Sequence, residues 1–238
     1  MAIKLTNVCK KFKIPHEKRD TLKESFVNFY RRRKYIDLDA LKDVNLEVAK
    51  GEFIGIIGKN GSGKSTLLKL LANIYVPSSG EVEIDGEVSP FLELGVGFNG
   101  DLSARENIYL NGVILGMSRP KIDSMYKNIV QFAELENFME MKLKNFSSGM
   151  QMRLAFAIAS AAHADVYLCD EVLAVGDREF QKKCMKVFED LKAQGKTIVL
   201  VSHDLDMIEK FCDRAILMEN GRIVKDGGAS EVVQHYKN

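Results

Sequence analysis

The stretch Phe53-Ile54-Gly55-Ile56-Ile57-Gly58-Lys59-Asn60-Gly61-Ser62-Gly63-Lys64-Ser65-Thr66-Leu67-Leu68-Lys69-Leu70-Leu71-Ala72 decides the fold of this chain. It opens with a continuously apolar run, the pattern of a strand buried on both faces of a sheet, and Ser65 to Ala72 reads as a helix. Between them, Gly58 to Thr66 fits the P-loop pattern, in which glycines let successive backbone N–H groups converge on phosphate oxygens at a helix N-terminus. Lys64 would reach the outer phosphates of a nucleotide, and the Ser65 hydroxyl would ligate Mg²⁺. The motif needs a buried strand before it and a helix after it, and both are there.

Working outward, Val166-Tyr167-Leu168-Cys169 and Thr197-Ile198-Val199-Leu200-Val201 are two more buried strands, with a helical stretch over 178–193 between them. Strand and helix in alternation predict a parallel sheet with helices on its faces. The first of these strands ends in Asp170-Glu171: Asp170 could hold a hydrated Mg²⁺ and Glu171 could polarise water, although such a pair can also simply cap the next helix. His203 follows the second, where a lone histidine is more often structural.

Toward the N-terminus, Ile3 to Val8 and Val44 to Val48 alternate as half-buried strands, and Glu81 to Asp85 is a short one. Residues 103–138 are predicted helical, with Ser103-Ala104-Arg105-Glu106 as a capping box and Pro120 inside a second start. Another helix opens near Ser147 and runs through the Ala-rich segment Met150 to Ala162. Ser147-Ser148-Gly149 is either an ordinary N-cap or a second anion site, and spacing leaves both open. Asn220-Gly221 marks a hairpin, and a last helix starts at Ser230.

The composition excludes several classes. With 238 residues, 46% hydrophobic and 28% charged, the chain is an ordinary folded α/β domain. A net charge of +1 offers nucleic acid no global attraction. The four cysteines form no Cys-x-x-Cys pair, so neither a zinc site nor a disulfide framework is expected. There is no secretory signal, and the most apolar stretch, Leu154 to Cys169, is interrupted by His163 and Asp165. The chain is expected to be cytosolic unless a partner brings it to a membrane. A basic amphipathic insertion is expected over about 15–39. Its centre, 16–34, has Leu22, Phe26, Phe29 and Tyr30 at helical spacing and seven Lys or Arg against three acids. It is either a solvated face or a contact with a membrane surface or permease.

In this order and spacing, the P-loop, Phe146-Ser147-Ser148-Gly149-Met150, the strand with Asp170-Glu171, Leu173-Ala174-Val175-Gly176-Asp177 and His203 resemble the nucleotide-binding domain of ABC transporters. The resemblance covers nearly the whole chain. It implies a P-loop NTPase core of the ABC type spanning 1–238, with an antiparallel β-subdomain and an α-helical subdomain over about 93–163. It also implies a head-to-tail homodimer with ATP between one subunit's P-loop and the other's Ser147, Ser148 and Gly149. Glu171 would be the general base, His203 the γ-phosphate sensor, and Asp177 a residue crossing the interface. Phe12 is the candidate aromatic for stacking on adenine, with Tyr35 as the alternative.

Two departures mark a subfamily. Ser148 and Met150 stand where the signature Leu-Ser-Gly-Gly-Gln has a glycine and the glutamine. The usual metal-contacting glutamine is replaced by Phe91-Leu92-Glu93-Leu94-Gly95, where Glu93 is the available oxygen ligand. With the insertion at His16 to Leu22 and Val175-Gly176-Asp177 followed by Phe180-Gln181-Lys182-Lys183-Cys184, these features resemble ATPases that export O-antigen, teichoic acid and related polysaccharides. The expected partner is then an integral membrane permease in two copies, with the chain peripheral on the cytoplasmic face of the inner membrane and touching neither glycan nor nucleic acid. The alternatives are a soluble ABC ATPase of translation or DNA repair, and a P-loop kinase. The first usually has paired cassettes or a long coiled coil, and the second leaves Ser147 to Gly149 and His203 unexplained.

Overall fold

A computed structural model describes residues 1–15, 35–91, 94–170 and 177–238. Their strands are β1 (Ile3–Pro15), β2 (Tyr35–Val48), β3 (Phe53–Ile57), β4 (Ser79–Ile84), β5 (Val88–Phe91), β6 (Val166–Asp170), β7 (Thr197–Val201), β8 (Arg214–Glu219) and β9 (Arg222–Gly228). The α-helices among them are α1 (Lys64–Leu71), α2 (Ala104–Ile114), α3 (Arg119–Ala133), α4 (Ser148–Ala161), α5 (Arg178–Ala193), α6 (Leu205–Phe211) and α7 (Ala229–Lys237).

The larger sheet has the order β5-β6-β7-β3-β8-β9, so the P-loop strand lies inside it, flanked by β7 and β8. Those central pairs are parallel, as the buried apolar runs predict, and β3 and β7 are buried throughout. Period-two alternation then sorts the side chains. Ile54, Ile56, Leu168, Val199 and Val201 share a core with α1 and the smaller sheet, whereas Phe53, Ile57, Tyr167, Cys169 and Leu200 share one with α4, α5, α6 and α7. A third core joins α2, α3 and one side of α4. On its other side, Phe156 of α4 meets Phe91, Phe180 and Phe188 at centroid distances of 5.6, 6.2 and 6.2 Å, which fastens the helical layer to the sheet.

The local signals act as their chemistry requires. Ser103 Oγ accepts from the Glu106 amide at 3.2 Å while the Glu106 carboxylate accepts from the Ser103 amide at 2.7 Å, which completes the capping box. Asn220 and Gly221 have φ of 48° and 81°, the two positive values that a tight type I′ turn between β8 and β9 demands.

The smaller antiparallel sheet, β2-β1-β4, departs from expectation. Its strands β1 and β2 run for 13 and 14 residues, well beyond Ile3–Val8 and Val44–Val48. The insertion is correspondingly shorter than 15–39: Pro15 ends β1, and Tyr35 to Asp39 begin β2. Phe12 pairs with Leu38, Lys13 with Asp37, Ile14 with Ile36 and Pro15 with Tyr35. The physical reason is non-local. Tyr35-Ile36-Asp37-Leu38-Asp39 alternates with period two, but its pairing partner lies on the far side of the insertion. The expected amphipathic helix over 16–34 falls outside the described residues.

Cys169, Cys184 and Cys212 are buried free thiols, and Cys9 is half-buried. Burial pushes the Cys184 and Cys212 thiols up to about 12 and raises that of Cys169 as well. Since the thiolate is the reactive form, a chromogenic thiol titration of the native chain is expected to count one fast group, abolished by Cys9→Ser, and to count the other three only after unfolding. Among the described residues no helix is long and apolar enough to cross a membrane.

Candidate nucleotide-binding site

The register of the large sheet gathers the motifs. Ile56 of β3 and Asp170 of β6 both align with Val201 of β7, so these three strands end at one edge. Gly58 leaves β3 there, Asp170 closes β6, and Ser202-His203 leave β7. The carboxyl edge of a parallel sheet is where ligands bind in open α/β folds. Asp170 continues the alternation of Val166 and Leu168, both in the core shared with α1, so its carboxylate faces the side of the sheet carrying Lys64 and Ser65.

The loop itself demands glycine. Gly58, Gly61 and Gly63 have φ of 147°, 78° and 108°, in the region that side chains disfavour. A Cβ at Gly58 would lie 2.3 Å from the Met218 carbonyl oxygen, and one at Gly63 would lie 2.8 Å from that of Ala40. One at Gly61 meets nothing within 4 Å. Gly58→Ala is therefore expected to cost about 3 kcal/mol or more, from strain plus collision with β8, whereas Gly61→Ala costs about 1–2 kcal/mol from backbone strain alone. Urea unfolding of the two variants checks this ranking.

Lys64 is buried, and its ammonium folds back over the loop, donating to the Gly58 and Lys59 carbonyls at 2.7 and 3.1 Å. The Ser62 hydroxyl is buried with no partner among the described residues. Helix α1 starts at Gly63 with no side-chain cap and no acidic residue in its first turn, which leaves its opening N–H groups for an anion. A pre-placed cation, an unsatisfied buried hydroxyl and an uncapped helix start fit a polyphosphate. Ser65 is exposed on that first turn. A hydroxyl and one carboxylate, completed by phosphate oxygens and waters, is the kind of set Mg²⁺ takes.

One support of the loop is not visible in the sequence pattern. The Gly221 amide donates to the Ser62 carbonyl at 2.9 Å, and the Gly221 carbonyl accepts from the Lys42 amide at 2.8 Å. The β8–β9 turn is thus wedged between the P-loop and β2, and a Cβ at Gly221 would lie 2.7 Å from the Ala40 oxygen. Asn220-Gly221 signals a hairpin, and nothing local says what the hairpin touches.

Ala40, which touches Gly63, lies two residues from Leu38, the cross-strand partner of Phe12. Phe12 meets Tyr75 edge-on at 5.3 Å, and the Lys10 ammonium lies 5.1 Å from its ring centre. Tyr35 sits at the far end of the ribbon opposite Pro15, so of the two aromatics Phe12 is nearer the loop.

The remaining residues are distributed differently. His203 is exposed, next to Asp204, whose carboxylate caps α6 through the Asp206 and Met207 amides at 3.1 and 3.2 Å. Ser147 and Ser148 are exposed and Gly149 half-buried at the start of α4. The Ser147 hydroxyl accepts from the Met150 amide at 3.2 Å, so it does act as an N-cap. Helix α4 packs on α2, α3, α5 and β5, whereas α1 packs on β2, β4 and β6, so the signature opens a different part of the molecule from the loop. Asp177 caps α5, accepting from the Glu179 and Phe180 amides at 3.0 and 2.9 Å. The Phe180 amide, with the Arg153 cation beside it, holds the Asp177 carboxyl below the usual carboxylate range. Glu171 and Glu93 lie outside the described residues.

The family model described as ABC transporter matches residues 41–174, more than half of the chain. An O-antigen export system ATP-binding protein, RfbB, of Klebsiella pneumoniae is 39% identical over 241 residues, covering 99% of this chain and 97% of that protein. A protein of the same name from Myxococcus xanthus is 48% identical over 84% of this chain, which spans 46% of it. The teichoic acids export ATP-binding protein TagH of Bacillus cereus is 39% identical over 99% of this chain, which spans 42% of it. Among solved structures, the dimeric post-hydrolysis state of the ATP-binding cassette MJ0796 bound to ADP and phosphate aligns with a TM-score of 0.75 at 28% identity, covering 95% of this chain and 98% of that one. With the phosphate loop, Asp170 and His203 on one sheet edge and the family match across them, this chain belongs to the ABC transporter family as an ATP-binding, ATP-hydrolysing domain.

Proposed function

We propose that this chain is the motor subunit of an exporter that moves a lipid-linked polysaccharide, O-antigen-like or teichoic-acid-like, across the cytoplasmic membrane through a separate permease. The observation that carries this reading is the end-to-end similarity to an O-antigen export ATP-binding protein, 97% of which is covered. A second relative of the same similarity is named for teichoic acid export. The glycan class is thereby bounded to cell-surface polymers.

In this reading the N–H groups of Gly58 to Thr66 and the Lys64 ammonium hold the phosphates, and Phe12 stacks on adenine. Mg²⁺ supplies charge neutralisation at the phosphates, held by Ser65, Asp170 and Glu93. Glu171 takes the proton of the attacking water, and His203 contacts the γ-phosphate. The exposed Ser147-Ser148-Gly149 start of α4, set apart from the loop of its own chain, reaches the ATP of a second copy. The head-to-tail dimer sits on two permease copies at the cytoplasmic face of the inner membrane, with the glycan outside its reach. The basic segment 16–34 contributes to the contact with membrane or permease, and reversing the charge of Arg31, Arg32 and Arg33 is expected to weaken membrane association.

The test is a pull-down from detergent-solubilised membranes with the Glu171→Gln chain and ATP as bait. A polytopic permease encoded among glycan-synthesis enzymes is the expected companion. Ribosomes or DNA-repair proteins without a membrane partner would overturn the exporter reading.

A further inference from the structure

Arg153 sits in α4 one turn beyond Gly149, and its guanidinium joins three helices. Nη1 donates to Glu134 Oε2 at 2.7 Å, at the left-handed residue that closes α3. Nη2 donates to Asp177 Oδ2, the cap of α5. The guanidinium carbon lies 5.0 Å from the ring centre of Phe180. Lys183 of α5 pairs with the same Glu134. The Arg153 side chain is 21% exposed, but its carboxylate partners are 43% and 60% exposed, so these ion pairs add little to stability. What they fix is position.

Asp170 and Asp177 bracket the segment 171–176. Asp170 is held in the β6–β7 ladder opposite Val201. Asp177 is held by the Arg153 guanidinium. The six intervening residues, Glu171 among them, thus run from a strand of the sheet to a carboxylate tied to the signature helix.

We propose that Arg153 is a positioning residue for ATP hydrolysis: by holding Asp177 to the helix that begins at Ser147-Ser148-Gly149, it sets the downstream anchor of the segment that carries the general base. This rests on the assignment of Glu171 as base and of the signature as the contact to ATP in the dimer. Geometry separates the tie from the cap. Asp177 uses Oδ1 for the two amides and Oδ2 for Arg153. Asparagine caps a helix as well as aspartate does, but it brings no charge to the guanidinium.

The experiment measures steady-state ATP turnover, ATP-dependent dimerisation and melting temperature of the full chain carrying Asp177→Asn, Arg153→Met, both together, or Arg153→Lys. Each of the first two is expected to lower kcat by about ten- to a hundredfold, the cost of a misplaced catalytic group, with KM for ATP within about twofold and the dimer retained. The double variant is expected to be no slower than the worse single one, because both remove one tie. Arg153→Lys recovers part of the rate, since a single ammonium reaches Asp177 but does not span to Glu134.

Wild-type kcat in Asp177→Asn beside a slow or unstable Arg153→Met overturns the proposal and makes Arg153 a brace between α3 and Phe180. Multiplying defects in the double variant overturn it too, as does loss of the dimer in Asp177→Asn alone, which would place Asp177 across the interface. Glu171→Gln, run alongside, separates the levels. If its turnover is unchanged, the base assignment falls and this inference with it. If it is inactive while Asp177→Asn is not, only the inference falls.

Discussion

Lys64→Ala is expected to lower ATP turnover by about a hundred- to a thousandfold, the scale of removing one aimed donor from a preorganised anion site. The ammonium is only 6% exposed and is already aimed across the loop by the Gly58 and Lys59 carbonyls. In that low-dielectric setting it meets the outer phosphates without a reorganisation cost, so its charge acts most strongly where charge builds up during transfer. Lys64→Arg is not expected to rescue, because a planar fork cannot take the place of a compact ammonium between two carbonyls. The substitution also leaves those carbonyls without their donor, which costs about 1–3 kcal/mol. Phosphate release should therefore be read well below a melting temperature measured on the same sample. A folded Lys64→Ala chain turning over ATP at the wild-type rate would remove the P-loop from the chemistry.

Glu171→Gln is expected to keep ATP binding and lower hydrolysis by about 10²–10⁴-fold, the range of a positioned general base. The amide preserves shape but cannot take the proton of the attacking water. Because hydrolysis opens the dimer, the variant should persist as a dimer in ATP and revert to monomer in ADP, as sedimentation would report. A variant that hydrolyses normally, or that never dimerises with ATP, contradicts the roles of Glu171 and of the signature respectively.

What could be read from the sequence was local. Five buried residues in a row at Phe53 to Ile57 mean a central strand wherever they occur, and Asn220-Gly221 can make its turn without outside help. The capping box at Ser103 closes within one turn of helix. The ends of β1 and β2 were not legible in this way, since Lys11 to Pro15 become strand only by pairing with Tyr35 to Asp39 across the insertion. The site divides along the same line. Glycine spacing and the Asp170-Glu171 pair announce phosphate and metal chemistry. The wedge of Gly221 beneath Ser62, and the Arg153 tie between Glu134 and Asp177, join residues with no common period. Ser147 shows why spacing alone left its role open: a helix start that caps itself with Ser147 also exposes Ser148 to a partner.

The link from ATP hydrolysis to export is tested most directly by surface glycan in cells whose own copy of this chain has been deleted. With the permease intact, loss of the chain should leave lipid-linked glycan accumulating inside and none displayed. The wild-type chain should restore display and Lys64→Ala should not. Display that continues without the chain, or that Lys64→Ala restores in full, would contradict an ATP-driven export motor.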